Sequence, residues 1–337
     1  MLAAVFHQHG GPEVLRVEEM ADPRPAPGEV IVKVRATSLN YHDVFTRNGM
    51  PGIKIPMPAI MGIDFAGEIA EIGSGVTGWE VGQRVLVDPK DRVHWKHLLG
   101  ETRPGGLGQF CAVPAEMLIA LPPSVTYEAA ACLPVAYGTA HRMMTTIGQV
   151  TRGEKVLVLG ASGGVGTGCL QLAKLAGCEV IACASSEPKL ARLRELGADH
   201  VLDYTAHALP DWVRDTFGKP SRRDTSGGVD IVVNFTGGDT WVPSLRCLRR
   251  QGRLLTCGAT AGFAPAEDLR YIWTFELQVK GSNGWTRDDI LKLLKLIDDG
   301  LLMPCVDKVF PLRDTAAAMA RIENRQAFGK VVVQPWA

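Results

Sequence analysis

The chain has 337 residues, 46% of them hydrophobic and 21% charged, with 36 Lys+Arg balanced by 36 Asp+Glu. That length exceeds one ordinary core and predicts two domains, and the balanced charge offers no field to nucleic acid or to an anionic membrane, which leaves small molecules as the expected partners. The N-terminal stretch lacks a basic segment followed by a long apolar one, so no secretory leader is read.

Residues 1–126 read as a β-rich, turn-rich domain of irregular, barrel-like character. Short β-branched runs at 30–34, 69–72, 84–87, 110–113 and 118–120 are separated by Gly/Pro-rich turns, and Pro23, Pro25 and Pro27 exclude regular structure around them. From Thr126 the pattern changes. Residues 127–148 are helical in composition, and strand and helix then alternate: strand 156–159, helix 164–176, strand 179–184, helix 188–196, a short strand at 201–202, a helix near 208–217, strand 229–234, helix 240–248, strand 252–257 and a last strand at 277–282. This alternation predicts a doubly wound parallel sheet over 127–282, in the α/β class. The tail, with helices at 288–299 and 314–324 and a strand at 330–333, is expected to return to the first domain, so that 283–337 joins 1–126. Loops 41–57 and 89–108 are expected to wall a cleft. The final strand of the sheet offers an edge for a second copy, and a homodimer or homotetramer is expected.

The run VLVLGASGGVG at 156–166 is a buried strand, a glycine turn and a helix start, A-x-G-x-x-G with Ala161 at the first glycine position. Gly163 would let the backbone approach a pyrophosphate and Gly166 would let the helix pack on the strand, while the helix N-terminus offers free N–H groups to phosphate. Ser162, Gly163, Gly164, Val165 and Gly166 are therefore expected to form a dinucleotide cradle. The second strand ends not on a carboxylate but on Ala184, followed by Ser185, Ser186 and Lys189. Hydroxyls and a cation there suit a ribose 2′-phosphate and predict NADPH. Glu187 dissents and is read as a favourable first-turn helix charge. The eight cysteines form no C-x-x-C, which argues against a disulfide framework or a structural zinc lobe and for a reducing, cytoplasmic compartment.

Six stretches in this order, SLNYHDVFTRNG (38–49), PAIMGIDFAGEIAEIGSGVTGWEVGQRV (58–85), AACLPVAYGTAH (130–141), the glycine turn, KLARLRELGADHVLDY (189–204) and AFGKVVV (327–333), resemble the medium-chain dehydrogenase/reductase superfamily, and more narrowly its zinc-free, quinone-oxidoreductase-like branch. The resemblance implies a GroES-like catalytic domain followed by a Rossmann domain. It also implies that the positions holding catalytic zinc in the alcohol dehydrogenases are here Asn40, Ile63 and Val135, none a usual zinc ligand, and that Asp64 stands where those enzymes carry a glutamate behind the metal. His94 and His97, spaced H-x-x-H in the segment replacing the cysteine-rich lobe, lack a third ligand in sequence and are read as cleft or solvent residues.

The resemblance implies a nicotinamide contact at Thr139, a contact from Tyr204 beside the adenosine phosphate, and a groove completed by the backbone around Asn234, Gly237, Gly258, Ser282 and Asn283. It makes Asn40 a polar anchor near the nicotinamide ribose or the substrate oxygen. Many relatives carry a tyrosine five residues after that asparagine, where this chain has Phe45. Tyr41 is taken as the candidate proton donor, with His42, Asp43 or water as alternatives. Without a metal to polarise an unactivated ketone, the expected substrates are quinones and activated alkenes such as enones and enoyl compounds. An alcohol or aldehyde dehydrogenase and a non-catalytic NADPH-binding protein remain open as alternatives.

Overall fold

The computed structural model describes residues 1–337. The chain divides into two compact units, one formed by 1–136 with 290–337 and the other by 137–289.

The N-terminal run contributes strands β1 (Leu2–Phe6), β2 (Arg16–Glu19) and β3 (Glu29–Leu39), helix α1 (Tyr41–Asn48), strands β4 (Ala59–Ile60), β5 (Asp64–Ile72), β6 (Arg84–Val87), β7 (Phe110–Pro114) and β8 (Leu118–Ala120), and helix α2 (Tyr127–Ala131). Strand β3 is the organising element. It pairs antiparallel with β5 through Val30↔Ile72 to Ser38↔Asp64, and with β7 through Glu29↔Pro114 to Lys33↔Phe110. Its Val30, Val32 and Val34 meet Phe65, Ile69, Val85 and Val113 in one core, the period-2 burial expected of a strand with one face inward. Helix α1 was not expected from sequence, since residues 41–57 read as loop. It exists because Asn40 and Asp43 form a capping box, which satisfies first-turn donors in a segment with few apolar residues. Helix α2 starts at Thr126, whose hydroxyl accepts from the Ala129 N–H at 3.1 Å.

The second unit begins within a helical stretch of π turns (Leu133–Gly138 and Arg142–Ile147) around the short α3 (Thr139–His141). Strands β9 (Lys155–Val158), β10 (Glu179–Ala184), β11 (His200–Asp203), β12 (Val229–Val233), β13 (Leu248–Thr256) and β14 (Gln278–Gly281) alternate with α4 (Gly164–Ala176), α5 (Glu187–Glu195), α6 (Leu209–Phe217), α7 (Trp241–Cys247) and α8 (Leu269–Phe275). All pairs are parallel, in the order β11-β10-β9-β12-β13-β14. That order reverses between β9 and β12, the doubly wound arrangement in which ligands bind beyond the carboxyl ends of the strands. Val156 to Val158 and Val180 to Cys183 are fully buried, as required when helices cover both faces. Gly177, at φ +81°, closes α4 with a left-handed residue.

The return segment supplies α9 (Arg287–Asp298), β15 (Val306–Pro311), α10 (Thr315–Glu323) and β16 (Lys330–Gln334). Strand β16 lies between β15 and β3, giving the order β15-β16-β3-β5-β6-β8, with Val331 opposite Leu39. The expected boundaries at 126/127 and 282/283 fall instead at 136/137 and 289/290. The physical reason is packing: α2, with Ala129 to Ala131 buried, lies on β3 and β5, whereas Ser282 still bonds the β13 end through Thr256 O at 2.8 Å.

Candidate active site

In the first unit, the loop from β3 into α1 brings Asn40 into a closed polar cluster. Its carboxamide Nδ2 donates to Asp64 Oδ2 at 2.8 Å and lies 3.4 Å from Ser38 O, while its Oδ1 accepts from Lys330 Nζ. Lys330 Nζ also donates to Leu39 O at 2.8 Å and stands 3.7 Å from Asp64 Oδ2. Asp64 in turn accepts the Val135 N–H at 3.0 Å. The three positions Asn40, Ile63 and Val135 are thus stitched together by the carboxylate next to one of them. Burial pushes the Asp64 carboxyl up to about 7, against the opposing pull of the Lys330 charge, the Asn40 amide and the Val135 N–H.

Asp43 is fully buried and its oxygens accept from Asn40 N at 2.8 Å and Gly62 N at 3.2 Å; burial raises its carboxyl in spite of those bonds. Its geometry is that of a structural cap. Tyr41 is more than a third exposed and packs edge-to-face on Phe45 at 5.2 Å. Between these, His42 Nε2 is hydrogen-bonded to Glu101 at 2.6 Å. Burial alone would lower the imidazole, but the Glu101 bond and the charges of Asp43, Glu101 and Asp64 outweigh it and hold it above its ordinary value. His94 and His97 are exposed, in a loop ordered by Asp91 accepting from the His94 N–H at 2.7 Å. Lys330 and Glu101 were not singled out from sequence. Each is a lone charged residue far along the chain from its partner, and only pairing of β16 with β3 and folding of the 98–103 turn bring them in.

In the second unit, the expected cofactor residues, Thr139 apart, collect beyond the carboxyl ends of the strands. Ser162 to Gly166 follow β9, Ser185 to Lys189 follow β10, Tyr204 follows β11, Asn234 and Gly237 follow β12, Gly258 follows β13, and Ser282 and Asn283 follow β14. Gly160 takes φ +63°, and a Cβ on Gly166 would lie 2.3 Å from Gly160 O, so helix and strand touch backbone to backbone. Gly163 is the α4 N-cap, with no side-chain cap, and a Cβ there would meet nothing nearer than 3.5 Å. The first turn of α4 therefore faces open space with its N–H groups free of intrahelical partners. Tyr204 N bonds Ala184 O at 3.3 Å, which sets the tyrosine next to Ser185. Glu187 is turned along its helix by Arg194 at 2.5 Å.

Asn234 is fully buried. Its Oδ1 accepts from the Thr236 and Gly237 N–H groups at 2.9 and 3.0 Å and its Nδ2 bonds Ser244 at 2.9 Å, so its side chain shapes the turn that presents Gly237. A cavity of about 480 Å³ opens here, lined among others by Gly237, Gly258, Ser282 and Asn283. The Ser282 hydroxyl is buried without a hydrogen-bond partner, a polar atom left for a ligand to satisfy. Thr139, largely buried, opens α3, which packs on α4 through Ala140 against Gly168.

Two family models match the chain: an alcohol dehydrogenase GroES-like domain over residues 26–123 and a zinc-binding dehydrogenase over 164–299. The chain is 31% identical to a 2-haloacrylate reductase from a Burkholderia species over the whole of both chains. It is 30% identical to an NADPH-dependent alkenal/one oxidoreductase of Arabidopsis thaliana, covering 99% of this chain and 80% of that one. Among solved structures, an NAD-dependent alcohol dehydrogenase superimposes with a TM-score of 0.90 at 34% identity over 99% of both chains. The chain belongs to the medium-chain dehydrogenase/reductase superfamily, and it is an oxidoreductase with the GroES-like and Rossmann domains of that family. The residues present do not fit the zinc ion that one model's description implies. Asn40 is committed to Asp64 and Lys330, Ile63 and Val135 have hydrocarbon side chains, and no three His, Cys, Asp or Glu side chains cluster as a ligand set.

Proposed function

We propose that this protein is an NADPH-dependent reductase of activated alkenes, enones and enoyl compounds above all, with quinones as further acceptors, and that it works without zinc. The observation that carries the reading is the Asn40–Asp64–Lys330 cluster, in which Asn40, at a position that the resemblance matches to a metal ligand, is committed to a carboxyl and an ammonium group. A substrate whose acceptor carbon is already electron-poor needs no Lewis acid. The names of the 2-haloacrylate and alkenal/one reductases agree with that class of acceptor.

NADPH would be held by the Ser162–Gly166 turn at the α4 N-terminus, by Ser185, Ser186, Lys189 and Tyr204 at the 2′-phosphate, and by Thr139, the turn at Asn234 and Gly237, Gly258, Ser282 and Asn283 along the nicotinamide half. It supplies the hydride. Asn40 and Asp43 act as positioning residues, and Tyr41 lies on the exposed side of α1. The second reading, an alcohol dehydrogenase, is favoured by the similarity to the NAD-dependent enzyme.

Following NADPH absorbance with quinones, enones, enoyl thioesters and aldehydes decides between them. Enone reduction that survives chelation is expected; alcohol oxidation requiring stoichiometric zinc would establish the second reading instead. Lys189→Glu is expected to weaken NADPH much more than NADH, and equal effects would remove the 2′-phosphate assignment. No helix is long and apolar enough to cross a membrane. We further place a second copy at the open edge of β14, as a homodimer or homotetramer, to be checked by light scattering, and the protein in the reducing cytoplasm, in keeping with eight free cysteines.

A further inference from the structure

We propose that Phe263 is a further binding residue for the cofactor: residues 263–266 form a strap, hinged at Gly262, that brings the phenyl ring over the nicotinamide half of NADPH in the cavity beyond β13 and β14. The inference rests on the NADPH reading of that cavity and adds to it a contact that no strand end supplies.

The segment joining β13 to α8 is made of two unlike halves. The first is bound to the turn after β12. The Thr260 N–H donates to Phe235 O at 3.3 Å, the Ala261 N–H to Thr236 O at 2.7 Å and the Gly238 N–H to Gly262 O at 2.8 Å. A Cβ on Gly237 would lie 2.3 Å from Gly262 O and one on Gly238 2.6 Å from Ala261 O, so the two backbones touch. Asn234, which fixes that turn, thereby fixes residues 260–262 as well.

The second half, FAPA at 263–266, makes no backbone hydrogen bond. It ends where Asp268 starts α8, with its N–H on Glu267 Oε1 at 2.8 Å and its carboxylate accepting from the Arg270 N–H at 3.0 Å. A short uncharged stretch is thus slung between two anchored points, and local opening is cheapest in such a stretch. Gly262 stands at the junction, with a φ of +139° that residues bearing a side chain rarely adopt.

Phe263 is 90% exposed, yet it lines the cavity of about 480 Å³ together with Trp241 and Pro265. Isolated apolar side chains on a surface are ordinary. This one stands at the mouth of a cavity that also holds the unpartnered Ser282 hydroxyl. The empty cavity gives the phenyl ring nothing to pack on, whereas a planar ring bound there offers it a face. Binding and closure are then linked, since a ligand shifts the strap only by what it gains from the closed form.

The test uses the full chain with NADPH and with 2′,5′-ADP, which carries the 2′-phosphate and the adenosine but no nicotinamide. Hydrogen exchange at the Phe263, Ala264 and Ala266 amides is expected to slow with NADPH and to stay as fast as in the free protein with 2′,5′-ADP. Phe263→Ala is expected to weaken NADPH roughly tenfold in a fluorescence titration, to leave 2′,5′-ADP affinity unchanged, and to melt with the wild type in the absence of ligand, because the exposed ring has no packing to lose. Phe263→Tyr should keep the wild-type affinity. Equal NADPH affinity in Phe263→Ala and wild type, or exchange unaltered by NADPH, would overturn the strap while leaving the reductase intact. Protection that follows protein concentration instead of NADPH would overturn it too, by placing Phe263 against a second copy. A wild-type protein that binds no NADPH would overturn the functional reading and this inference with it.

Discussion

Lys330 is a cation with almost no contact with water, and its neighbours explain why it is tolerated. Leu39 O and Asn40 Oδ1 accept from its ammonium, and the Asp64 carboxylate lies 3.7 Å away. Removing one member of a buried pair is costly because the other is left without its counter-charge. Lys330→Met should therefore lose about 3–5 kcal/mol in urea unfolding near neutral pH, and Asp64→Asn in the same background should lose much less than it does alone. Strict additivity of the two losses would show that they do not form a unit. The sign of the pH dependence follows from Asp64, whose carboxyl rises from an ordinary value to about 7 in the folded chain. Between those two values the folded state holds the proton and the unfolded state does not. The contribution of this carboxyl is thus complete at acid pH and declines as pH rises through the window. Losing the Lys330 charge removes a pull that lowers Asp64, so the window in the variant should extend to higher pH.

The glycine turn and α4 keep apart the two roles that the sequence assigns to Gly163 and Gly166. Gly166 touches backbone on the strand side, with a would-be Cβ 2.3 Å from Gly160 O, whereas Gly163, at φ −83°, has room for a methyl group. Gly166→Ala should destabilise the fold by about 1–3 kcal/mol because neither wall is a flexible side chain. Gly163→Ala should leave stability within about 0.5 kcal/mol yet, on the proposed cradle, weaken NADPH, since its methyl would enter the space assigned to the pyrophosphate. Thermal melting with and without NADPH reads both; a Gly163→Ala protein that binds normally would move the cradle elsewhere. The parallel sheet was legible because its strands are short, mostly aliphatic runs that alternate with segments carrying apolar residues at period 3.6. Helix α1 was not, because YHDVFTRN has too little apolar periodicity, although the N-x-x-D spacing of Asn40 and Asp43 carried a capping signal. Helix α8 escaped for the opposite reason: LRYIWTF is aromatic and β-branched and resembles a strand, and the Asp268 side chain capping Arg270 N starts the helix instead. At the site, the residues proposed to hold the cofactor, Thr139 apart, follow strand ends, where the glycine turn and the family resemblance had pointed. Lys330 and Glu101 were not legible, since their role depends on contacts 290 and 59 residues away.

At the scale of the molecule, the two units place unequal demands on chain closure. The second is one continuous segment, 137–289, whose strands are joined by neighbouring helices. The first is complete only when β16 enters between β15 and β3, with Val331 to Val333 fully buried and Val331 set opposite Leu39. Non-local pairing of that kind carries loop-closure entropy that must be met before the contacts are made. Refolding from urea should accordingly protect amides of β9 to β13 before those of β3 and β16, as read by pulsed hydrogen exchange. NADPH at about 100 times its dissociation constant adds roughly 2.7 kcal/mol to whatever state binds it. If the cradle is complete in the second unit, the ligand should stabilise an early species in which β9 to β13 are protected and β3 and β16 still exchange. Protection of β3 and β16 in step with the parallel sheet, unaffected by NADPH, would mean that the chain folds as one cooperative body and that closure of the first unit is not the late event.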